Sequence, residues 1–246
     1  MPATRSFSPT VHPNVRFLAS AAAVAVALAV ATNTVTGSAP VAAAEPASKA
    51  ATSKPVTYEL LAGMFGTSGI GDRATVEAGL NSLNSQMYKG QITNASRKAA
   101  FLATLVSESA MLYNADERGS TARYRGRGYI QLTGDFNYRD AGRYLGVDLL
   151  SAPNKAKTLQ YSAAIARWYW TVARTTTNSC ADAHDMNCVN RNIGFAWSYE
   201  EATRRCDRFK AAYRKLTGAN PANTICYPAR LPKTGDRAWY QDRAQD

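Results

Sequence analysis

An apolar helix that ends in a glutamate is the feature that most constrains this chain. Residues 99–106 are apolar around nearly the whole circumference of a helix, which is typical of a helix buried in a domain core. Glu108 follows this run directly, and Glu117 lies nine residues later in a polar segment. We therefore expect one carboxyl group at the inner end of a buried helix and the other in a solvated loop. Carboxylic acids in such unlike surroundings can act separately as general acid and general base.

The segment after Glu117 is rich in arginine and glycine. Arg125 and Arg127 alternate with glycines in an RGRG sequence, which leads into a β-like run at residues 129–133. The RGRG sequence occurs once and lacks the repetition of an arginine–glycine tract, so we expect no nucleic-acid partner despite the basic composition.

Several segments together resemble family 19 of the glycoside hydrolases, which includes chitinases of plants and actinobacteria and related peptidoglycan-cleaving endolysins. The resemblance covers residues 56–217, and its specific part is the GRGYIQLT block with two glutamates upstream. The matching segments are YELLAGMFG, LNSLNSQM, AAFLATLVSES, DERG, YRGRGYIQLTGDFNYRDAGRYLGVDLL and AAIARWYW.

This resemblance implies a fold and a reaction. The fold would be mainly α-helical, a lysozyme-like domain of two lobes, with a small β or irregular segment at residues 129–133 lining the cleft between them. The reaction would be hydrolysis of β-1,4 linkages in a polymer that contains N-acetylglucosamine, either chitin or peptidoglycan. No cofactor would be needed.

The resemblance also implies roles for individual residues. Glu108 would be the general acid, and Glu117 the general base that activates water for inversion of configuration. Thr133 aligns with a family hydroxyl residue that helps to hold this water. Arg205 aligns with an arginine that organises the base side of the cleft. Further expected contacts to sugar or carboxylate are Gln131, Asn137, Tyr124, Tyr129, Arg125 and Arg127.

Two positions depart from the family pattern. Ser107 stands where the family commonly has histidine, and Gly194 stands where a sugar-binding asparagine is expected, although Asn190 or Asn192 could substitute. These changes favour an alternative, a non-catalytic protein that binds chitin or cell wall on the same fold. Retention of both glutamates favours the enzyme.

The first 44 residues predict a secretory signal peptide. Arg5 and Arg16 make the start of the chain basic, residues 17–31 are apolar, and cleavage is expected near Ala44. A membrane anchor is the alternative, but the apolar run is shorter than the ~18–20 residues that cross a bilayer. Loss of the two arginines would leave 27 basic and 18 acidic residues, a net charge of +9 that suits anionic polymers.

The cysteines predict two disulfide bonds in a secreted protein. They are Cys180, Cys188, Cys206 and Cys226. Three pairings are possible from the sequence, and short loops favour joining the first to the second and the third to the fourth. The chain has two histidines, His12 and His184, and no CxxC motif, so we expect no metal site.

These observations predict the organisation of the chain. We expect a signal peptide at 1–44, a flexible linker at 45–56, a catalytic domain at 57–218 and a Pro-rich extension at 219–246, in a monomer without a membrane partner once the signal is removed. Helices are expected at 58–65, 76–89, 94–108, 138–145, 159–173 and 202–216, with a polar loop at 175–188.

Overall fold

The computed structural model describes residues 54–194 and 198–228. Eight α-helices dominate these residues, and we number them in chain order. They are α1 (Tyr58–Phe65), α2 (Arg73–Lys89), α3 (Ala95–Ser109), α4 (Asp135–Leu145), α5 (Ser162–Trp168), α6 (Thr177–Asp182), α7 (Met186–Ile193) and α8 (Tyr199–Thr217). Two 3-10 turns, Thr67–Gly69 and Pro153–Lys157, and a π-helical turn, Tyr169–Ala173, complete the set. The predicted signal peptide lies outside the described residues.

Helix α3 lies at the centre of the domain. Asn94 caps its first turn by accepting a hydrogen bond from the backbone N–H of Arg97 at 2.8 Å. Residues 99–106 are all buried, and α3 makes its most extensive helix contact with α8. The predicted core helix is therefore confirmed, and Ala110, in the left-handed conformation at φ 50°, ends it just after Glu108.

Helix α2 is amphipathic. Its buried positions include Val76, Leu80, Leu83 and Met87. Thr57 caps α1, and its side chain accepts from the backbone N–H of Leu60 at 3.2 Å. The mainly helical fold class is confirmed.

The predicted polar loop at residues 175–188 is wrong, because this region forms α6 and the start of α7. Its polar residues have low helix propensity, which misled the sequence interpretation. Tertiary structure supplies the stabilisation: Asp185 caps α7 at 2.8 Å from the backbone N–H of Cys188, and Val189 is fully buried. Helix α4 likewise begins at Asp135, three residues earlier than expected.

The segment at residues 129–133 is irregular rather than a strand. Within the described ranges, pairing near it is limited to isolated bridges between Asp116 and Arg127 and between Arg127 and Leu132. Gln131 has φ 51°, a left-handed conformation that turns the chain back on itself.

The packed region extends beyond the predicted domain limits at both ends. Val56 is buried and exchanges two hydrogen bonds with the side chain of Asn84, at 2.7 and 2.9 Å, so the predicted linker does not reach residue 56. At the other end, Ile225 pairs with Asp185, and Tyr227 stacks on Tyr199. No helix among the described residues is long and apolar enough for a bilayer span.

Both favoured disulfide bonds form, and the described cysteines include no free thiol.

We predict that replacing both Cys206 and Cys226 with alanine lowers the free energy of unfolding by about 3 kcal/mol, because this bond closes a loop with a sequence separation of 20. Denaturant unfolding measures this value. Replacing Cys180 and Cys188 is the matched control, and its shorter loop should cost slightly less. An undiminished stability would contradict the assignment.

Candidate active site

A cleft of about 470 Å³ brings together the residues that the sequence singled out. Glu108 reaches it from the end of α3, and Glu117 reaches it from the loop that follows. Gln131, Thr133 and Asn137 line the same cleft from the irregular segment and the first turn of α4. The structure therefore places both predicted acids and three predicted contacts around one space.

Glu108 lies in a buried chain of charges. Its Oε1 accepts a hydrogen bond from Nη1 of Arg205 at 2.8 Å, and Arg205 donates in turn to Glu201 at 2.7 and 3.0 Å. The side chains of Glu108 and Arg205 are only 16% and 7% exposed. Burial raises the pKa of Glu108 above its ordinary value, Arg205 opposes the rise, and the negative charge of Glu201 adds to it.

The prediction for Arg205 is wrong in one respect. Arg205 lies in the cleft but contacts Glu108, the predicted acid, rather than the base side. The reason is that α8 packs along α3, so a side chain from its inner face reaches the C-terminal end of α3.

Glu117 is held by backbone atoms. Its Oε2 accepts a hydrogen bond from the N–H of Gly126 at 2.8 Å, and its own N–H donates to the carbonyl of Gly126 at 2.9 Å. A Cβ at position 126 would come within 2.7 Å of Oε1 of Gln131, so any other residue there would displace the Gln131 side chain. Glu117 is exposed, in contrast to Glu108.

Arg125 and Arg127 do not hydrogen-bond either predicted acid in the described structure. Arg125 instead forms a bidentate pair with Asp116, at 2.6 and 3.0 Å. Arg127 is only 2% exposed and donates to the carbonyl of Arg123 at 3.0 Å and to the hydroxyl of Tyr138 at 2.8 Å. Both arginines therefore organise the loop that carries Glu117, and the predicted tuning of the carboxylates by Arg125 and Arg127 stays a prediction.

Hydrogen bonds to nearby backbone carbonyls hold three polar residues of the cleft wall, Gln131, Thr133 and Asn137. The hydroxyl of Thr133 donates to the carbonyl of Gln131 at 2.8 Å, and the side-chain amide of Asn137 donates to the carbonyl of Thr133 at 2.8 Å. The amide of Gln131 donates to the carbonyl of Gly128 at 3.1 Å. These bonds fix the orientation of three polar side chains before any ligand enters.

The two predicted tyrosines do not line this cleft. Tyr129 is 1% exposed and packs against Gly79 in the core, so it offers no face to a ligand and its prediction is wrong. Tyr124 is half-buried against Tyr138, and its hydroxyl donates to the carbonyl of Leu150 at 3.2 Å. It lines a second chamber of about 570 Å³, which shares Glu117 and Thr133 with the first cleft.

Two further residues support or line the cleft, Tyr169 and Glu201. The sequence interpretation assigned Tyr169 to the core face of the helix at 159–173 and did not single out Glu201. Trp168 and Trp170 are buried, but Tyr169 between them lines the cleft. The signal was present in the sequence, because three consecutive aromatic residues cannot all face one side of a helix. The guanidinium group of Arg174 lies 4.9 Å from the ring centroid of Tyr169 and holds it in place.

The two departures from the expected pattern have distinct structures. Ser107 donates to the carbonyl of Ala103 at 2.7 Å and accepts from Arg208 at 2.8 Å, so it joins α3 to α8. Gly194 lines the cleft beside Glu108. Asn190 is buried and Asn192 donates to Thr176, and neither belongs to the cleft lining, so the expected substitution is not made.

Comparison with known proteins points to one family. Residues 77–200 match the model of glycoside hydrolase family 19, described as chitinase class I. An endochitinase of Avena sativa is 30% identical over 127 residues, 50% of this chain and 58% of the oat protein. Chitinase 8 of Oryza sativa is 40% identical over 68 residues, 26% of this chain and 25% of the rice protein. The chain thus spans less than two thirds of these relatives.

Two solved structures share the fold. A bacterial family 19 chitinase superposes with a TM-score of 0.54 at 21% identity, covering 70% of this chain and 99% of that one. Chitinase C from Streptomyces griseus gives a TM-score of 0.51 at 22% identity, covering 70% and 78%. The helical architecture described above is therefore the one these chitinases adopt.

The charge chain around Glu108 can be tested by direct titration. Replacing Arg205 with glutamine should raise the pKa of Glu108 further, because the buried carboxylate loses its cation. Replacing Glu201 with glutamine should lower it, because a nearby negative charge is removed. Carbon-13 NMR of labelled glutamate side chains measures both shifts, with the exposed Glu77→Gln as a control. Shifts of equal sign in the Arg205 and Glu201 variants would refute this account.

Proposed function

The chain belongs to glycoside hydrolase family 19, and from this premise we propose that it hydrolyses β-1,4 linkages in polysaccharides that contain N-acetylglucosamine. The observation that carries the proposal is the placement of two carboxyl groups, one buried and one exposed, around a single cleft. Chitin is the first substrate to test, because the oat and rice relatives are named as chitinases. Peptidoglycan shares the sugar backbone and remains the second.

Glu108 acts as the general acid in this proposal. Burial raises its pKa above the ordinary value, which favours the protonated form that donates a proton to the glycosidic oxygen as the bond breaks. The proton leaves a carboxylate behind, and Arg205 at 2.8 Å stabilises that charge. Glu201 accepts hydrogen bonds from Nε and Nη2 of Arg205, which holds the guanidinium group while its Nη1 donates to Glu108.

Glu117 acts as the general base. Its bond from Gly126 occupies Oε2, and it lines the cleft together with Thr133. It takes a proton from water that attacks the anomeric carbon on the face opposite the leaving group, which inverts the configuration. Inverting glycosidases hold the two carboxyl groups roughly 6.5–9.5 Å apart to leave room for this water.

Polar and aromatic side chains would bind the sugars. Gln131 and Asn137 have preset orientations in the cleft wall and offer amide groups to hydroxyl and acetamido groups. Tyr169 adds an aromatic surface from the π-helical turn.

The predicted signal peptide and the two disulfide bonds fit a protein that works in an oxidising extracellular compartment.

A binding protein without activity is the second candidate. Ser107 and Gly194 support it, because both replace residues that the family commonly uses near the acid and the sugar. The two candidates differ in one measurement: purified protein that binds chitin or purified cell walls but releases no sugar from either is a binding protein.

We predict that Glu108→Gln and Glu117→Gln each lower the turnover of chitooligosaccharides at least ~100-fold, the usual minimum for loss of a general acid or base. Both variants should fold and still bind the polymer, because glutamine keeps the shape of the side chain. Glu77→Gln, an exposed acid on α2, is the matched control and should retain full activity.

Two further readouts separate the roles. A substrate with a good leaving group needs no protonation, so it should restore much of the activity of Glu108→Gln and little of Glu117→Gln. Proton NMR of the first product should show the α-anomer, the inverted configuration. If Glu108→Gln hydrolysed natural oligosaccharides as fast as the wild-type protein, the general acid would be another residue. A β-anomeric first product would exclude inversion.

A further inference from the structure

An acidic residue that the proposed reaction does not use lies directly before the proposed base. Asp116 accepts two hydrogen bonds from Arg125, at 2.6 and 3.0 Å, and one from the ammonium group of Lys157. Nε of Arg127 lies 3.8 Å away from the same carboxylate. The side chains of Asp116 and Lys157 are only 28% and 30% exposed, so these charges are partly shielded from solvent.

The partners of Asp116 come from separate parts of the chain. Arg125 and Arg127 belong to the segment that returns alongside Glu117, and Lys157 ends the 3-10 turn Pro153–Lys157. The group of Asp116, Arg125 and Lys157, which we call the charge cluster, therefore fastens the loop to a distant element.

The backbone couples the charge cluster to Glu117. Asp116 forms an antiparallel bridge with Arg127, and the N–H of Glu117 donates to the carbonyl of Gly126. Successive residues in extended backbone project to opposite sides. The carboxylate of Asp116 thus faces the cations while that of Glu117 faces the cleft and accepts from Gly126.

We propose that Asp116 and Lys157 are positioning residues that set both the direction and the charge environment of Glu117. The proposal rests on the assignment of Glu117 as general base. The charge cluster contains two cations, Arg125 and Lys157, and one anion, Asp116. Its net charge acts through space on the neighbouring carboxylate of Glu117. Nothing in this role requires contact with the substrate.

The charge on Asp116 persists throughout the pH range in which the enzyme would work. The hydrogen bonds from Arg125 first, and then the ammonium group of Lys157, lower the pKa of Asp116 to about 2. Removing this negative charge leaves uncompensated cations beside Glu117, whereas removing Lys157 leaves the negative charge of Asp116 less compensated.

Other charged groups also face Glu117, and none of them changes in the test. Glu108 and Arg205 lie in the same cleft, and Arg123 and Asp135 line the second chamber that Glu117 shares. Because they are retained in every variant, the difference between variants reports the charge cluster alone.

The experiment compares Asp116→Asn, Lys157→Met and the double variant. On chitooligosaccharides, the acidic limb of the kcat profile should move down by about 0.5 pH unit in Asp116→Asn and up by a similar amount in Lys157→Met, from Coulomb interaction over several ångströms. The double variant should return close to wild type. The maximum kcat should fall severalfold in the single variants with little change in KM.

Lys155→Met is the matched control, because this lysine lies on the same 3-10 turn and is exposed. It should leave the profile unchanged. Carbon-13 NMR titration of Glu117 in each variant gives the same shifts without turnover, and thermal unfolding reports whether each variant folds. If Asp116→Asn does not fold, the presence or absence of an upward shift of the acidic limb in Lys157→Met decides whether the proposal stands.

The outcomes separate this proposal from the proposed function. Shifts of one sign in both single variants, or unchanged limbs with a lowered Tm, would reduce the charge cluster to a structural role and overturn the inference while leaving the glycosidase intact. Wild-type protein that cleaves no oligosaccharide would overturn the proposed function, and the NMR titration would then still test the electrostatic coupling between Asp116, Lys157 and Glu117.

Discussion

The packing of α3 against α8 is the contact on which the rest of the site depends. The inner face of α3 is apolar and fully buried, and α8 covers its C-terminal end. A glutamate at that end has no access to bulk water over most of its surface, so it must find a cation or stay protonated. Arg205 on α8 supplies the cation at 2.8 Å, which ties helix packing directly to the chemistry of Glu108.

The contrast between the two acids follows from how each is held. Glu108 is fixed by a helix and an ion pair in a buried environment, whereas Glu117 is fixed by backbone hydrogen bonds in an exposed loop. A buried ion pair is costly to desolvate, and breaking it by removing one partner costs more than the pair itself contributes. We interpret the Glu201–Arg205–Glu108 chain as an arrangement that sets proton affinity rather than one that adds stability.

The sequence was most informative where local pattern and burial agree. The apolar run of α3 predicts the core position of this helix. The two acids could then be placed because both come shortly after the run in the sequence. The run of three aromatic residues shows that one of them must face away from the core, but that this residue is Tyr169, and that Arg205 lies beside Glu108, depends on helix register and packing angle, which one sequence does not reveal. The helices α6 and α7 were missed because a disulfide bond and a buried Val189 outweigh weak propensity. Asp116, the ion-pair partner of Arg125, was not singled out from the sequence.

Helix α8 shows why the limits of the family match are not the limits of the site. The match ends at residue 200, yet Glu201 and Arg205 lie beyond it and complete the charge chain around Glu108. The N-terminal half of α8 is braced from outside by the disulfide bond from Cys206 and by the stacking of Tyr227 on Tyr199. The segment 219–228, which the sequence suggested was an appendage, therefore supports the helix that positions Arg205, and its integrity is a condition for the geometry of the acid.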